Sequence, residues 1–144
     1  MPSSRMATGF SLIELMIALV IASLLAVVAI PAYRDHMIRG AIPQATGGLS
    51  LFAMQMEEYY QDHHTYASGS NCGAATPASE KFNFSCEIGS SGQSYLLTAT
   101  GITGDLSSIS YTLDQAGNAK TIALPTGWGA VPVNCWINKK NGAC

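Results

Sequence analysis

From Phe10 to Ile30 the chain reads FSLIELMIALVIASLLAVVAI, apolar throughout except for Ser11, Glu14 and Ser23. As an α-helix this run is about 31 Å long, matching a bilayer hydrocarbon core of about 30 Å. A chain of 144 residues is too small to surround such a helix on every side, so a buried core helix is the poorer reading. A cleaved secretory signal fits poorly too. Its apolar stretch is about 7–15 residues and closes on a small-residue cleavage site, whereas this run is longer and meets Pro31. The stretch predicts a membrane-spanning helix over residues 10–33.

Composition agrees with a folded domain attached to that helix. Hydrophobic residues make up 48% and charged residues 11%, less than half the usual charged share of about 25%, which excludes a disordered chain. Seven Lys and Arg against nine Asp and Glu give a net charge of −2. No global basic field recruits nucleic acid or anionic lipid, so any such partner has to be met by a local patch.

Glu14 is the only formal charge between Arg5 and Arg34. An acidic side chain in a membrane span costs about 2.5–3.5 kcal/mol for Asp at the helix centre and less near an end. If the chain is cut after Gly9, Glu14 falls in the first helical turn, where the helix dipole returns only about 0.3–1 kcal/mol. No Lys, Arg or His lies within the span to neutralise it. A new α-amino group at Phe10 supplies the missing cation, in the same copy or a neighbouring one. The pattern calls for cleavage and for self-association.

These residues carry a family resemblance. Gly9-Phe10-Ser11-Leu12-Ile13-Glu14-Leu15-Met16 closely resembles the processing and assembly motif of type IV pilins and pseudopilins. The resemblance implies that a prepilin peptidase in the membrane cuts after Gly9 and N-methylates Phe10, and that Glu14 is the assembly carboxylate. Pro31 stands where the family carries a helix-kinking proline, followed by the common Ala32-Tyr33. One departure is the leader, residues 1–9. Family members often place Lys or Arg just before the Gly, but here Ala7-Thr8 fills that place and Arg5 is the only basic side chain; slower processing is expected. The partners implied are other pilins, the prepilin peptidase, the inner-membrane assembly machinery and the membrane itself.

Residues 34–62 read as the second half of the long helix. Gly40, Pro43 and Gly47-Gly48 weaken it, each Gly by about 1 kcal/mol relative to Ala. The span from Pro31 to Gly48 is expected to melt when subunits pack in a filament. From Leu49 the apolar period recovers at Phe52, Ala53, Met56 and Tyr60, predicting one core-facing stripe. Residues 63–144 form the head. His63 to Gly92, rich in Ser, Gly, Asn and Ala, reads as a long loop tied by Cys72 and Cys86. Strands are expected over 94–100, 108–113 and 119–123, with Gln115-Ala116-Gly117-Asn118 as the turn of a hairpin. The expected class is α+β, a pilin fold with a long helix on an antiparallel sheet of three or four strands.

Four Cys allow three pairings. The pairs nearest in sequence, Cys72–Cys86 and Cys135–Cys144, are favoured, each closing a short loop worth about 3 kcal/mol in the chain-entropy model. Disulfides suit an oxidising periplasm on the way to the cell surface. Metal binding is not expected, because no C-x-x-C or H-x-x-x-H spacing occurs and His63-His64 are adjacent. No cofactor is expected. No nucleophile elbow, phosphate loop or dinucleotide fingerprint is present, so an enzyme is not expected either. The one basic-aromatic cluster is Lys139-Lys140 with Trp136 and Trp128 nearby and Lys120 on the hairpin. It suits DNA, with lysines on phosphates and indoles under bases, and the head also resembles minor pilins that include DNA-uptake receptors. A surface or host ligand is the competing partner. The alternative to a pilus subunit of motility, adhesion or DNA uptake is a pseudopilin of type II secretion. Such chains often carry acidic calcium loops, while the C-terminal part here has only Asp105 and Asp114.

Overall fold

The computed structural model describes residues 9–144, so the leader through Thr8 lies outside the described residues. One helix, α1 (Leu12–His63), is followed by strands β1 (Ala67–Ser68), β2 (Asn71–Cys72), β3 (Phe82–Ile88), β4 (Tyr95–Gly101), β5 (Ser110–Asp114) and β6 (Ala119–Ala123). The chain divides at His36/Met37 into two compact units.

The first unit is helical from Leu12, and none of its described side chains is buried. Ser11 accepts the first-turn hydrogen bond from Leu15 N at 3.2 Å, and Glu14 lies in that turn. The favourable dipole position expected for Glu14 is therefore present in the helix itself. Leu12, Leu19, Leu24 and Val28 are each more than 60% exposed, an apolar rod with nothing of its own to bury against. The helix continues through Pro31, Gly40, Pro43 and Gly47-Gly48, with Pro31 and Pro43 each lacking the amide that would donate to the preceding turn.

In the second unit α1 buries Ile38, Ala41, Ile42, Ala45, Leu49, Phe52 and Met56, a three-and-four spacing that keeps them on one face. Leu49, Phe52 and Met56 belong to the expected stripe, with Ala53 and Tyr60 partly buried at its margin. This face packs with Phe82, Phe84, Tyr95, Leu97, Ala99, Ile109, Tyr111 and Leu113 from the sheet side and with Trp128. Gly48 has a packing role that composition does not reveal. A Cβ there would run into the Phe84 ring, whereas one at Gly47 would meet nothing. Gly48→Ala is therefore expected to destabilise by about 1–3 kcal/mol through overpacking. Gly47→Ala is expected to stabilise by about 0.4–1 kcal/mol by restricting the unfolded chain. Thermal unfolding of both variants in detergent, followed by circular dichroism, checks the opposite signs.

The sheet is antiparallel in the order β3-β4-β5-β6, with β1-β2 a separate short hairpin. This corrects the reading of residues 63–92 as loop, since that segment contains β1, β2 and the edge strand β3. β3 reads FNFSCEI, with Phe82 and Phe84 buried and Asn83, Ser85 and Glu87 exposed, the alternation of a half-buried strand. Its flanks of Ser, Asn and Gly hide a pattern that is itself plain. Cys72 and Cys86 form a disulfide joining β2 to β3, and Cys135 and Cys144 form the second.

Glu57, near the end of α1, fastens the head to the helix. Its carboxylate accepts the Tyr66 hydroxyl at 2.9 Å and the Tyr95 hydroxyl at 3.2 Å. Tyr60 stacks on Tyr66 and donates to Gln93 Oε1 at 2.9 Å.

Candidate functional site

Two regions hold the residues singled out by sequence. The first is the start of α1. Gly9 and Phe10 precede the helix, Phe10 is 81% exposed, and Glu14 follows on an exposed turn. A terminal amine created at Phe10 would sit one helical turn from Glu14 along the chain.

The second lies in the head, built from the β5–β6 hairpin and the C-terminal segment. Asp114 closes the hairpin turn. Its Oδ1 accepts the backbone N–H groups of Ala116 and Asn118 at 3.0 and 2.9 Å, and its Oδ2 accepts the Asn118 side-chain amide at 2.9 Å. Burial alone would raise the Asp114 carboxyl, but the hydrogen bonds from Asn118 and Ala116 and the charge of Lys120 outweigh it and hold it below the ordinary range. Gly117 supplies the turn's positive φ of 76°, open to glycine without strain. Facing this turn across a groove of about 550 Å³ are Asn134, Cys135 and Trp136, with Lys120 on the hairpin side. Trp136 is half-buried, and its indole N–H donates to the Thr112 carbonyl at 3.0 Å.

The structure thus brings Lys120 and Trp136 to one groove. Lys139 and Lys140 are exposed at the following turn. Trp128 does not join them. It is 1% exposed and packs in the core, which corrects its place in the basic-aromatic cluster: an indole so buried has no face left for a base. Asn118 and Asn134 line the groove, and sequence gave no signal for them, because pairing residues so far apart depends on how the C-terminal segment returns to the sheet.

That return is made by buried polar groups. Tyr111, fully buried, donates to the Ile137 carbonyl at 2.6 Å, and burial pushes its hydroxyl up to about 12 from the ordinary 10.0. The folded state therefore holds this proton more tightly than the unfolded state. Its contribution is intact below pH about 10 and is lost as pH rises through about 12. Thermal midpoints measured against pH should fall across that window, and Tyr111→Phe should flatten the fall. Among the described residues no group of three His, Cys, Asp or Glu side chains is arranged for a metal ion.

Comparison with known proteins places the chain. Residues 31–113 match a family model described as "Type IV minor pilin ComP, DNA uptake sequence receptor", and residues 4–30 match the prokaryotic N-terminal methylation motif. The type IV major pilin PilE1 of Neisseria gonorrhoeae is 39% identical over 72 residues, 50% of this chain and 34% of that protein. Fimbrial protein EcpC of Eikenella corrodens is 33% identical over 93 residues, 64% of this chain and 61% of that protein. These matches thus span between about a third and three-fifths of the relatives' own lengths. A solved type IV pilin from Shewanella oneidensis is similar with a TM-score of 0.49 at 21% identity, covering 68% of this chain and 96% of that one. These relatives are a pilin and a fimbrial protein by name. With more than half its length matched by one family model and a prepilin-type N-terminus ahead of it, the chain belongs to the type IV pilins, in the ComP minor pilin family.

Proposed function

We propose that this subunit is a minor pilin of DNA uptake, processed between Gly9 and Phe10, methylated on Phe10 and drawn into a filament through Glu14. Before assembly its helix spans the inner membrane, residues 10–33, with the head in the periplasm; afterwards it stands on the cell surface. The prepilin peptidase and the inner-membrane assembly machinery are its processing partners, and other pilins are its neighbours. Pro31 is the point at which the helix bends as it packs.

The observation that carries the reading is the match of residues 31–113 to the receptor family. Assembly is supported by the exposed apolar rod, which needs lipid or neighbouring helices as cover. DNA binding is supported by Lys120 and Trp136 at one groove with Lys139 and Lys140 beside it in the chain. These residues follow the segment matched by the family model, so their part in binding is argued from their chemistry. The overall charge of −2 makes the affinity local and steeply dependent on salt.

Two experiments test the reading. Intact-mass measurement of the mature chain should give a polypeptide beginning at methylated Phe10. A chain retaining residues 1–9 in the filament would overturn the processing step. For DNA, Lys139→Ala with Lys140→Ala in the full chain should weaken duplex binding at low salt. It should also lower the slope of log affinity against log salt by about 2, roughly one for each phosphate contact removed. An unchanged slope would remove these lysines from the site.

A further inference from the structure

The Cys135–Cys144 disulfide joins two points of the same C-terminal segment. It shapes that segment but cannot fasten it to the sheet. The fastening comes from β6. Thr121 is fully buried. Its hydroxyl uses both its capacities on the segment, donating to the Cys135 carbonyl at 2.6 Å and accepting from Ile137 N at 3.0 Å. Its backbone does the same one step earlier, with Thr121 N to the Val133 carbonyl at 3.0 Å and Val133 N to the Thr121 carbonyl at 3.1 Å. The Tyr111 hydroxyl holds the Ile137 carbonyl from the neighbouring strand. Asn134 and Trp136, which form one wall of the groove, alternate with the residues so held.

We propose that Thr121, seconded by Tyr111, is the positioning residue of the DNA-binding groove, and that it, more than the Cys135–Cys144 disulfide, sets where Asn134 and Trp136 stand opposite Lys120. The functional part rests on the DNA-uptake reading above; the positional part stands on the hydrogen bonds alone. Thr121 immediately follows Lys120, so the residue that fixes one wall belongs to the strand that carries the other. The width of the groove is thereby set within β6. Only a hydroxyl can serve here. Valine fills the same volume but orphans a carbonyl and an N–H at once, whereas serine keeps both bonds.

The test uses the full chain in detergent with a short mixed-sequence DNA duplex at low salt, and hydrogen exchange at the Ile137 amide read by mass spectrometry. Thr121→Val is expected to weaken duplex binding about tenfold and to speed exchange at the Ile137 amide. Thr121→Ser should stay within about twofold of the unaltered chain on both readings. Cys135→Ser with Cys144→Ser should lose less affinity than Thr121→Val. The proposal is overturned if Thr121→Val leaves affinity and exchange unchanged, if Thr121→Ser is as impaired as Thr121→Val, or if the disulfide variant is the weaker binder. Should Thr121→Val fail to fold, Tyr111→Phe removes only the Ile137 anchor and must show the same loss in smaller measure; no loss there counts against the proposal. A full chain that binds no duplex overturns the DNA reading and the functional part with it. The exchange measurements then decide the positional part by themselves.

Discussion

The Glu14→Ala chain is expected to enter the membrane as readily as the unaltered one and to be depleted from sheared filaments by two orders of magnitude or more. The sign follows from the helix. Removing a carboxylate from an apolar rod eases insertion, because the charge is what the membrane resists, so absence from filaments cannot be blamed on failure to insert. In the packed core the proposed partner is the Phe10 amine of a neighbour. Stripping one member of a buried pair leaves the other unpaired at a cost of about 3–5 kcal/mol, which as an equilibrium is a factor of about a hundred to several thousand. Glu14→Gln keeps the size and loses the charge, and should behave like Ala. Glu14→Asp, one methylene shorter, should fall between. Immunoblots of sheared filaments against membrane fractions read the ratio, and normal incorporation of the Ala variant would dismiss the pairing.

The second large effect is expected at Gly101, the last residue of β4. A Cβ there would collide with the backbone carbonyl of Leu106. That carbonyl cannot give way cheaply, because it accepts the Ile109 N–H at 2.8 Å while the Ile109 carbonyl in turn accepts the Gly101 N–H at 3.0 Å. Ile109 is fully buried, so retreat of the turn would drag a core side chain with it. Gly101→Ala is therefore expected to cost about 3 kcal/mol or more, a large share of a stability of about 5–15 kcal/mol, and to lower the head's thermal midpoint by about 12–24 °C. Gly104 provides the comparison. Its φ is +58° with open space around it, so Gly104→Ala bears backbone strain alone, about 1–2 kcal/mol. Equal midpoints for the two variants would rule out the close approach as the cause.

What could be read beforehand was whatever is written in neighbouring residues. The apolar run with its lone Glu14, the Gly117 turn between β5 and β6, and the stripe through Leu49, Phe52 and Met56 all lie within a few residues of the features that define them. β3 was hidden although FNFSCEI alternates cleanly, because the turn-forming residues on both sides outweigh seven positions in any composition reading. Gly48, Trp128 and Thr121 were out of reach for a different reason. Gly48 matters because of Phe84, Trp128 because the core has room for it, and Thr121 because Cys135 and Ile137 return to it. In each case the partner is far along the chain, and no local pattern marks the pair. The cluster of two indoles and three lysines therefore came apart in part, with Trp136 kept at the surface and Trp128 withdrawn.

The Glu57 attachment bears on what would happen if the proposed filament were pulled. In the proposed filament, traction on α1 would load both the packing of the stripe from Ile38 to Met56 and the two phenol–carboxylate bonds at Tyr66 and Tyr95. Contacts arranged in parallel share such a force, whereas contacts opened one after another do not. In the proposed filament such a head would be towed by its helix, with the packed stripe and the Glu57 bonds both resisting its loss.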